Sequence, residues 1–271
     1  MTNNVSAEKV VLAPNAADRP RVTFFLERNT LRLASVVLLL VVWQIVGMQL
    51  EPYVLPTPIA VAVAWWKLTL SGELITAAGA SIYVFMLGFG SALILGIPLG
   101  VATGVSRPLG YFFDTYITIF WSTPTIALLP LLVVWFGLTL ETKLVLVFLS
   151  AFWPLVINTQ VGIQHVEKNY TEVAKAFGAT RSEILRHVLV PASIPYLVAG
   201  MRIAVGRAII GVIVAELYTS VTGLGARMTY YSNFFQIANY FAALLMFIVF
   251  SVAATEFVRI FEHRFSRWRA E

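Results

Sequence analysis

Residues 77–103 read AAGASIYVFMLGFGSALILGIPLGVAT, twenty-seven positions without a charged side chain. At about 1.5 Å of rise per residue, such a helix crosses a hydrocarbon core about 30 Å thick. Comparable apolar windows recur at 33–50, 117–136, 144–163, 196–217 and 240–260. The composition agrees: of 271 residues, 59% are hydrophobic and 12% charged, with a mean hydropathy of +0.81. Soluble domains carry about 25% charged residues, so this chain has too little polar surface to cover a globule, which excludes a water-soluble enzyme. The fold class is all-α, a polytopic membrane protein with six transmembrane helices. Residues 1–32 read as a polar tail, 33–260 as the membrane domain and 261–271 as a basic tail.

The net charge of +5 reports topology. Fourteen lysines and arginines fall on one side, in the amino tail, at Arg107, in the 164–195 loop and in the carboxyl tail, against Lys67, Lys143 and Arg227 on the other. That bias puts both termini and the 164–195 loop in the cytoplasm. The amino tail has no apolar core of a secretory signal, so the first span is expected to be retained. Trp65 and Trp66 beside Lys67 suit an outer-interface anchor, or a surface or re-entrant helix within 53–76. No cysteine is present, which excludes disulfides and thiolate metal sites.

Gly96-x3-Gly100-x3-Gly104 lies close to one face of the second span, where small residues let another backbone approach, and we read it as a packing seam. The third span contains Ser122-Thr123-Pro124-Thr125 and then Pro130. Each proline frees a carbonyl one turn back, and hydrocarbon does not satisfy it, so such a break belongs beside protein or a water-filled path. Ser122, Thr123, Pro124 and Thr125 are the first pathway candidates. Asn158, following Trp153-Pro154 in the fourth span, is a weaker one. In the fifth span Arg207 lies near mid-depth, where an unpartnered arginine costs at least ~2.5 kcal/mol, so it faces protein, water or an anion. It suits either an interhelical ion pair or an anion-attracting lining. Glu216 is half a turn round the same helix and cannot reach it.

The 164–195 loop is patterned as two short helices. Asn169 and Glu172 have capping-box spacing, an apolar run to Phe177 follows, and Gly178 suits a left-handed stop. Thr180 and Glu183 make a second box, Ile184, Leu185, Val188 and Leu189 cluster on one face, and Pro191 is expected to end the helix. An apolar helical face on such a loop packs on its own bundle or on a partner subunit. The chain has no G-x4-G-K-[ST] phosphate loop, so an ATPase driving transport would be another polypeptide.

Glu172-Val173-Ala174-x3-Gly178-Ala179 with Val188-x-Val190-Pro191 resembles the EAA loop of ABC importer permeases, with Val173, Val188 and Val190 replacing other apolar residues. Pro124-x2-Ala127-Leu128-x-Pro130-Leu131, Trp135-Phe136-Gly137, Pro154-x3-Asn158-Thr159-x2-Gly162, Gly200-x-Arg202-x-Ala204-x-Gly206, Ala215-Glu216 and Gly223-Leu224-Gly225 are similar to its nitrate/sulfonate/taurine branch, collinearly over 54–260. Val84 departs, since relatives often carry arginine there. The resemblance implies that the 169–191 loop is a coupling helix seated in an ATP-binding subunit, through Glu172, Ala174, Phe177, Gly178, Ile184, Val188 and Pro191. It also implies a permease homodimer and a periplasmic or lipid-anchored substrate-binding protein, with ATP and magnesium on the partner ATPase and no cofactor on this chain.

The implied function is alternating-access import of a small organic or inorganic anion, with a pyrimidine- or vitamin-type solute as the alternative. An ion-coupled secondary transporter would need intramembrane carboxylates or histidines and internal repeats, which we do not find. A structural membrane scaffold is disfavoured by the broken third span. No catalytic residue is expected. His165, His187 and His263 lack paired ligand spacing, so no metal site is expected either. The basic tail, Arg259, Arg264, Arg267 and Arg269 with its aromatics, suits membrane lipid, and nothing supports nucleic-acid binding.

Overall fold

A computed structural model describes residues 21–266 of the chain, with side chains described for 30–260. Among the described residues, five helices are long and apolar enough to cross a membrane, or six when the bent pair is counted as one span. α1 (Arg21–Gln49) begins inside the stretch read as a polar tail, because a helix leaving the bilayer keeps its backbone ladder whatever its side chains. The rest of that tail lies outside the described residues, as do the side chains of 261–271. α1 is almost entirely exposed and is tied down by Trp43, whose Nε1 donates to Pro56 O at 3.0 Å and whose ring lies 5.8 Å from Phe241. The Trp65–Trp66 segment is a short helix, α2 (Pro58–Leu70), capped by Thr57 with Pro58 in its first turn.

The bundle core is α3 (Glu73–Val105), α6 (Leu140–Gln164) and α9 (Val190–Thr219), which pack extensively on one another. Small residues set this contact. Ideal Cβ atoms on Gly88, Gly96, Gly100 and Gly104 would meet Val147, Leu155, Thr159 and Ile163 at 2.7, 3.3, 2.6 and 2.8 Å. The pairing advances by the same step along both helices, so α3 and α6 run parallel in register. Gly162, Gly200 and Gly211 meet Tyr196, Asn158 and Ser150 at 2.7, 2.6 and 3.0 Å in the opposite order, so α6 and α9 are antiparallel. α6 is thus held between two seams of small residues, a packing that hydrocarbon cannot drive by itself and close backbone approach can. Val84 lies buried in α3 within this core.

The third span is not one rod from residue 117. α4 (Arg107–Ser122) starts ten residues earlier, and the chain then bends by 86° through a 3-10 turn at Thr125–Leu128 into α5 (Leu129–Phe136). Pro124 and Pro130 flank the turn. Their missing amide donors are why a single helix cannot continue. α10 (Leu224–Asn233) and α11 (Ile237–Ser266) close the chain, with α11 packed on α2, α9 and α10.

Candidate functional site

Two regions carry the residues singled out by the sequence. The first is the loop between α6 and α9. α7 (Lys168–Ala176) begins at Lys168 with Glu167 as its cap, so the Asn169–Glu172 capping box does not form: the helix starts before Asn169 and takes that residue into its first turn. Its end follows the glycine. Gly178, at φ +82°, donates to Lys175 O at 2.9 Å, and Ala179 donates to Ala174 O at 3.0 Å, the paired bonds of a left-handed helix stop.

The second box does form. Thr180 N donates to Glu183 Oε2 at 2.7 Å and Glu183 N to Thr180 Oγ1 at 3.4 Å, opening α8 (Arg181–Ile184). Pro191 does not end this helix. A π-helical turn at Leu185–Leu189, closed by Val190 N on Leu185 O, widens the ring spacing, and the chain continues into α9 with Pro191 in its first turn, where its missing donor is tolerated. From Arg181 onward the loop is therefore one continuous helix with the fifth span.

Ile184 is buried, and Ala174 and Val188 are half-buried where α7 packs on the π turn. Glu172, Gly178 and Pro191 are exposed. Phe177 is 88% exposed, and Tyr170 and Val173 beside it are 57% each. These three side chains leave an aromatic–aliphatic patch exposed on a polar helix.

The second region is the bend. Ser122 and Pro124 are exposed, Thr123 and Thr125 half-buried, and Thr123 Oγ1 returns to Ile119 O at 2.8 Å. Arg207 reaches it from α9, its guanidinium carbon 4.1 Å above the Trp121 ring. Phe120 stacks on Trp153 of α6 with centroids 5.0 Å apart and planes 4° from parallel. The bend is thus clamped by aromatic contacts to both neighbouring helices, and Arg207 adjoins it rather than the Glu216 carboxylate. Asn158 does not join this group: its Nδ2 turns back to Pro154 O at 2.8 Å beneath Gly200.

Sequence reasoning missed a third cluster. Glu216 is fully buried and accepts from Ser81 Oγ at 2.8 Å and Gly225 N at 3.0 Å. Ser81 Oγ in turn accepts from Leu224 N at 2.9 Å. Buried Lys143 donates to Thr222 O at 2.8 Å and to Thr222 Oγ1 at 2.9 Å. Side chains from α3, α6 and α9 thereby hold Thr222, Leu224 and Gly225 of the 220–225 link into α10. The signal was in the sequence as Glu216 followed by Gly223-Leu224-Gly225, two glycines that leave room for a carboxylate. Beyond the link, Arg227 pairs with Glu73 at 3.2 Å and Tyr231 donates to the same carboxylate at 2.6 Å. Burial, then that carboxylate, hold the Tyr231 phenol above its ordinary value.

Residues 92–267 match the family described as binding-protein-dependent transport system inner membrane component. The chain is similar to the permease protein SsuC of Bacillus subtilis (strain 168), named for aliphatic sulfonates transport, at 33% identity over 85% of this chain and 84% of that one. It is similar to the taurine transport system permease protein TauC of Escherichia coli (strain K12), at 28% identity over 89% and 90% of the two chains. The nitrate import permease protein NrtB of Synechococcus elongatus is 29% identical over 69% and 70%. Among solved structures, a chain of the MetNI methionine ABC transporter in an inward-facing conformation superposes with a TM-score of 0.59 at 20% identity, over 71% of this chain and 95% of that one. At that identity the likeness is one of fold.

Proposed function

The chain belongs to the family of binding-protein-dependent transport system inner membrane components, and from that membership we propose what it carries and how it is driven. It is the permease subunit of an ABC importer and not an enzyme. Permeases of this kind work with ATP-binding subunits and a substrate-binding protein at the inner membrane. The proposed cargo is a small organic or inorganic anion of the sulfonate, taurine or nitrate kind. The observation that carries this reading is Arg207, exposed at mid-span and poised over Trp121 beside the Ser122–Thr125 bend. A guanidinium held by a ring face keeps its hydrogen-bonding edge available, and in a low-dielectric setting that edge selects negative charge.

In this reading two copies of the chain face one another across the bend, with both termini in the cytoplasm. The 169–191 loops dock ATP-binding subunits, which hold ATP and magnesium. Closure of the ATPase pair moves the loops, and because each loop is one continuous helix with α9 from Arg181 onward, the motion is delivered to the helix that carries Arg207. The test is ATP-dependent uptake of taurine, an alkanesulfonate and nitrate into proteoliposomes holding the complete importer. Uptake of at least one is expected, falling about tenfold in Arg207→Gln, the equivalent of ~1.4 kcal/mol. Uptake of a neutral solute and none of the three overturns the anion reading, and unchanged uptake by Arg207→Gln removes Arg207 from the pathway.

A further inference from the structure

A cleft of about 760 Å³ opens where α3 and α6 end and α4 and α7 begin. Arg107 and Lys168, the first residues of α4 and α7, stand on its lining and are exposed. The lining also carries the uncharged Gln160, Gln164, Thr171 and Tyr111, with Asp114 the one carboxylate among the lining residues. The rest of the wall includes the apolar Val105, Ile163, Val166 and Leu189, beside two glycines and Thr103, whose hydroxyl donates to Leu99 O. Two cations against one acid leave the cleft net positive. Its position at the ends of four helices puts it at the depth of lipid headgroups, and the charge bias makes that the cytoplasmic surface.

We propose that this cleft binds the phosphate headgroup of an anionic phospholipid. The lining divides as an amphiphile does: cations and donors for a phosphate and its glycerol oxygens, apolar side chains for the start of an acyl chain. A free anion would leave the apolar wall wetted, and a zwitterionic headgroup would gain less from a net positive rim. Basic pockets between helices on the cytoplasmic side are where headgroup recognition is expected. The consequence is regulatory. Lys168 and Thr171 belong to the docking helix and Leu189 to the turn behind it, so an occupied cleft ties the coupling loop to α4. This consequence rests on the docking reading above; the binding itself does not.

Native mass spectrometry of the permease–ATPase complex, incubated with equal phosphatidylglycerol, phosphatidylethanolamine and phosphatidylcholine, separates the two. Phosphatidylglycerol is expected to be retained over the others by about fivefold per cation, and Arg107→Gln with Lys168→Gln to abolish the preference. Asp114→Asn moves the net charge the other way and is expected to strengthen retention, which keeps the inference open to failure even if the double variant folds poorly. Equal retention of the three lipids, or a preference unchanged in the double variant, overturns the site. Displacement of the lipid by inorganic phosphate alone assigns the cleft to a soluble anion and overturns the lipid. Because retention is read on the intact complex without transport, a wrong cargo assignment leaves the result untouched.

Discussion

The two turns at the ends of the continuous helix from Arg181 to Thr219, outer and inner in the topology proposed above, are built on opposite principles. The outer one, residues 220–225, makes few bonds of its own and is gripped by Glu216, Ser81 and Lys143 from three helices. The inner one, residues 177–183, is closed by its own backbone and by the Thr180–Glu183 box, and it presents Phe177 to the outside. A turn whose polar groups are satisfied by the bundle belongs to the fold and moves only with it. A turn satisfied locally arrives already shaped, with its apolar face uncommitted. The same helix thereby has one end fixed by the bundle and one end shaped locally.

Matched substitutions at two left-handed glycines put the largest strain on this comparison. Gly223 sits at φ +101° with its missing Cβ directed into the Glu216 carboxylate, and Gly178 sits at φ +82° with open space around it. Gly223→Ala is expected to combine backbone strain with disruption of a buried charge cluster, about 3 kcal/mol or more, and to remove the folded permease from size-exclusion profiles. Gly178→Ala meets the conformational cost alone, about 1 to 2 kcal/mol, and the protein should remain monodisperse with a Tm a few degrees lower. Equal losses at the two sites would mean that the outer turn is no more committed to the bundle than the inner one.

Phe177→Asp separates the surface from the fold. At 88% exposure the ring contributes little to the isolated permease, so Tm should stay within a degree, whereas recovery of the ATP-binding subunit in pull-down should fall about tenfold or more. A lowered Tm with intact recovery would place Phe177 against its own bundle.

These contrasts also explain what the sequence could and could not disclose. Spans, the broken third helix, the Gly178 stop and the Thr180 box are encoded within a few residues, so periodicity and turn chemistry display them. Asn169–Glu172 had the spacing of a box and failed because the helix had already begun at Lys168, a one-residue difference that local pattern does not resolve. Pro191 read as a stop, but a π turn over Leu185–Leu189 precedes it and the chain continues into α9, a local change of helix type that the residue pattern does not display. Of the Glu216 cluster only the Gly223–Gly225 cue is local: Ser81 is 135 residues away, and no periodicity reports a contact across that distance.

The smallest expected effect tests the claim that the inner turn is shaped locally. Thr180 Oγ1 lies 3.4 Å from Glu183 N, a long bond, while the reverse arm from Thr180 N to Glu183 Oε2 is 2.7 Å. Both Thr180→Ala and Glu183→Ala lose the 2.7 Å bond from Thr180 Oγ1 to Glu183 Oε2, but Thr180→Ala otherwise removes only the longer arm and should cost about 0.5 kcal/mol, whereas Glu183→Ala also removes the shorter arm and should cost about 1 kcal/mol. Hydrogen exchange at the amides of residues 180–184 reads both. If the turn depends on its own box, exchange accelerates more in Glu183→Ala than in Thr180→Ala with the rest of α9 unaffected. If the bundle holds the turn, neither substitution changes exchange there, and the contrast with the outer end disappears.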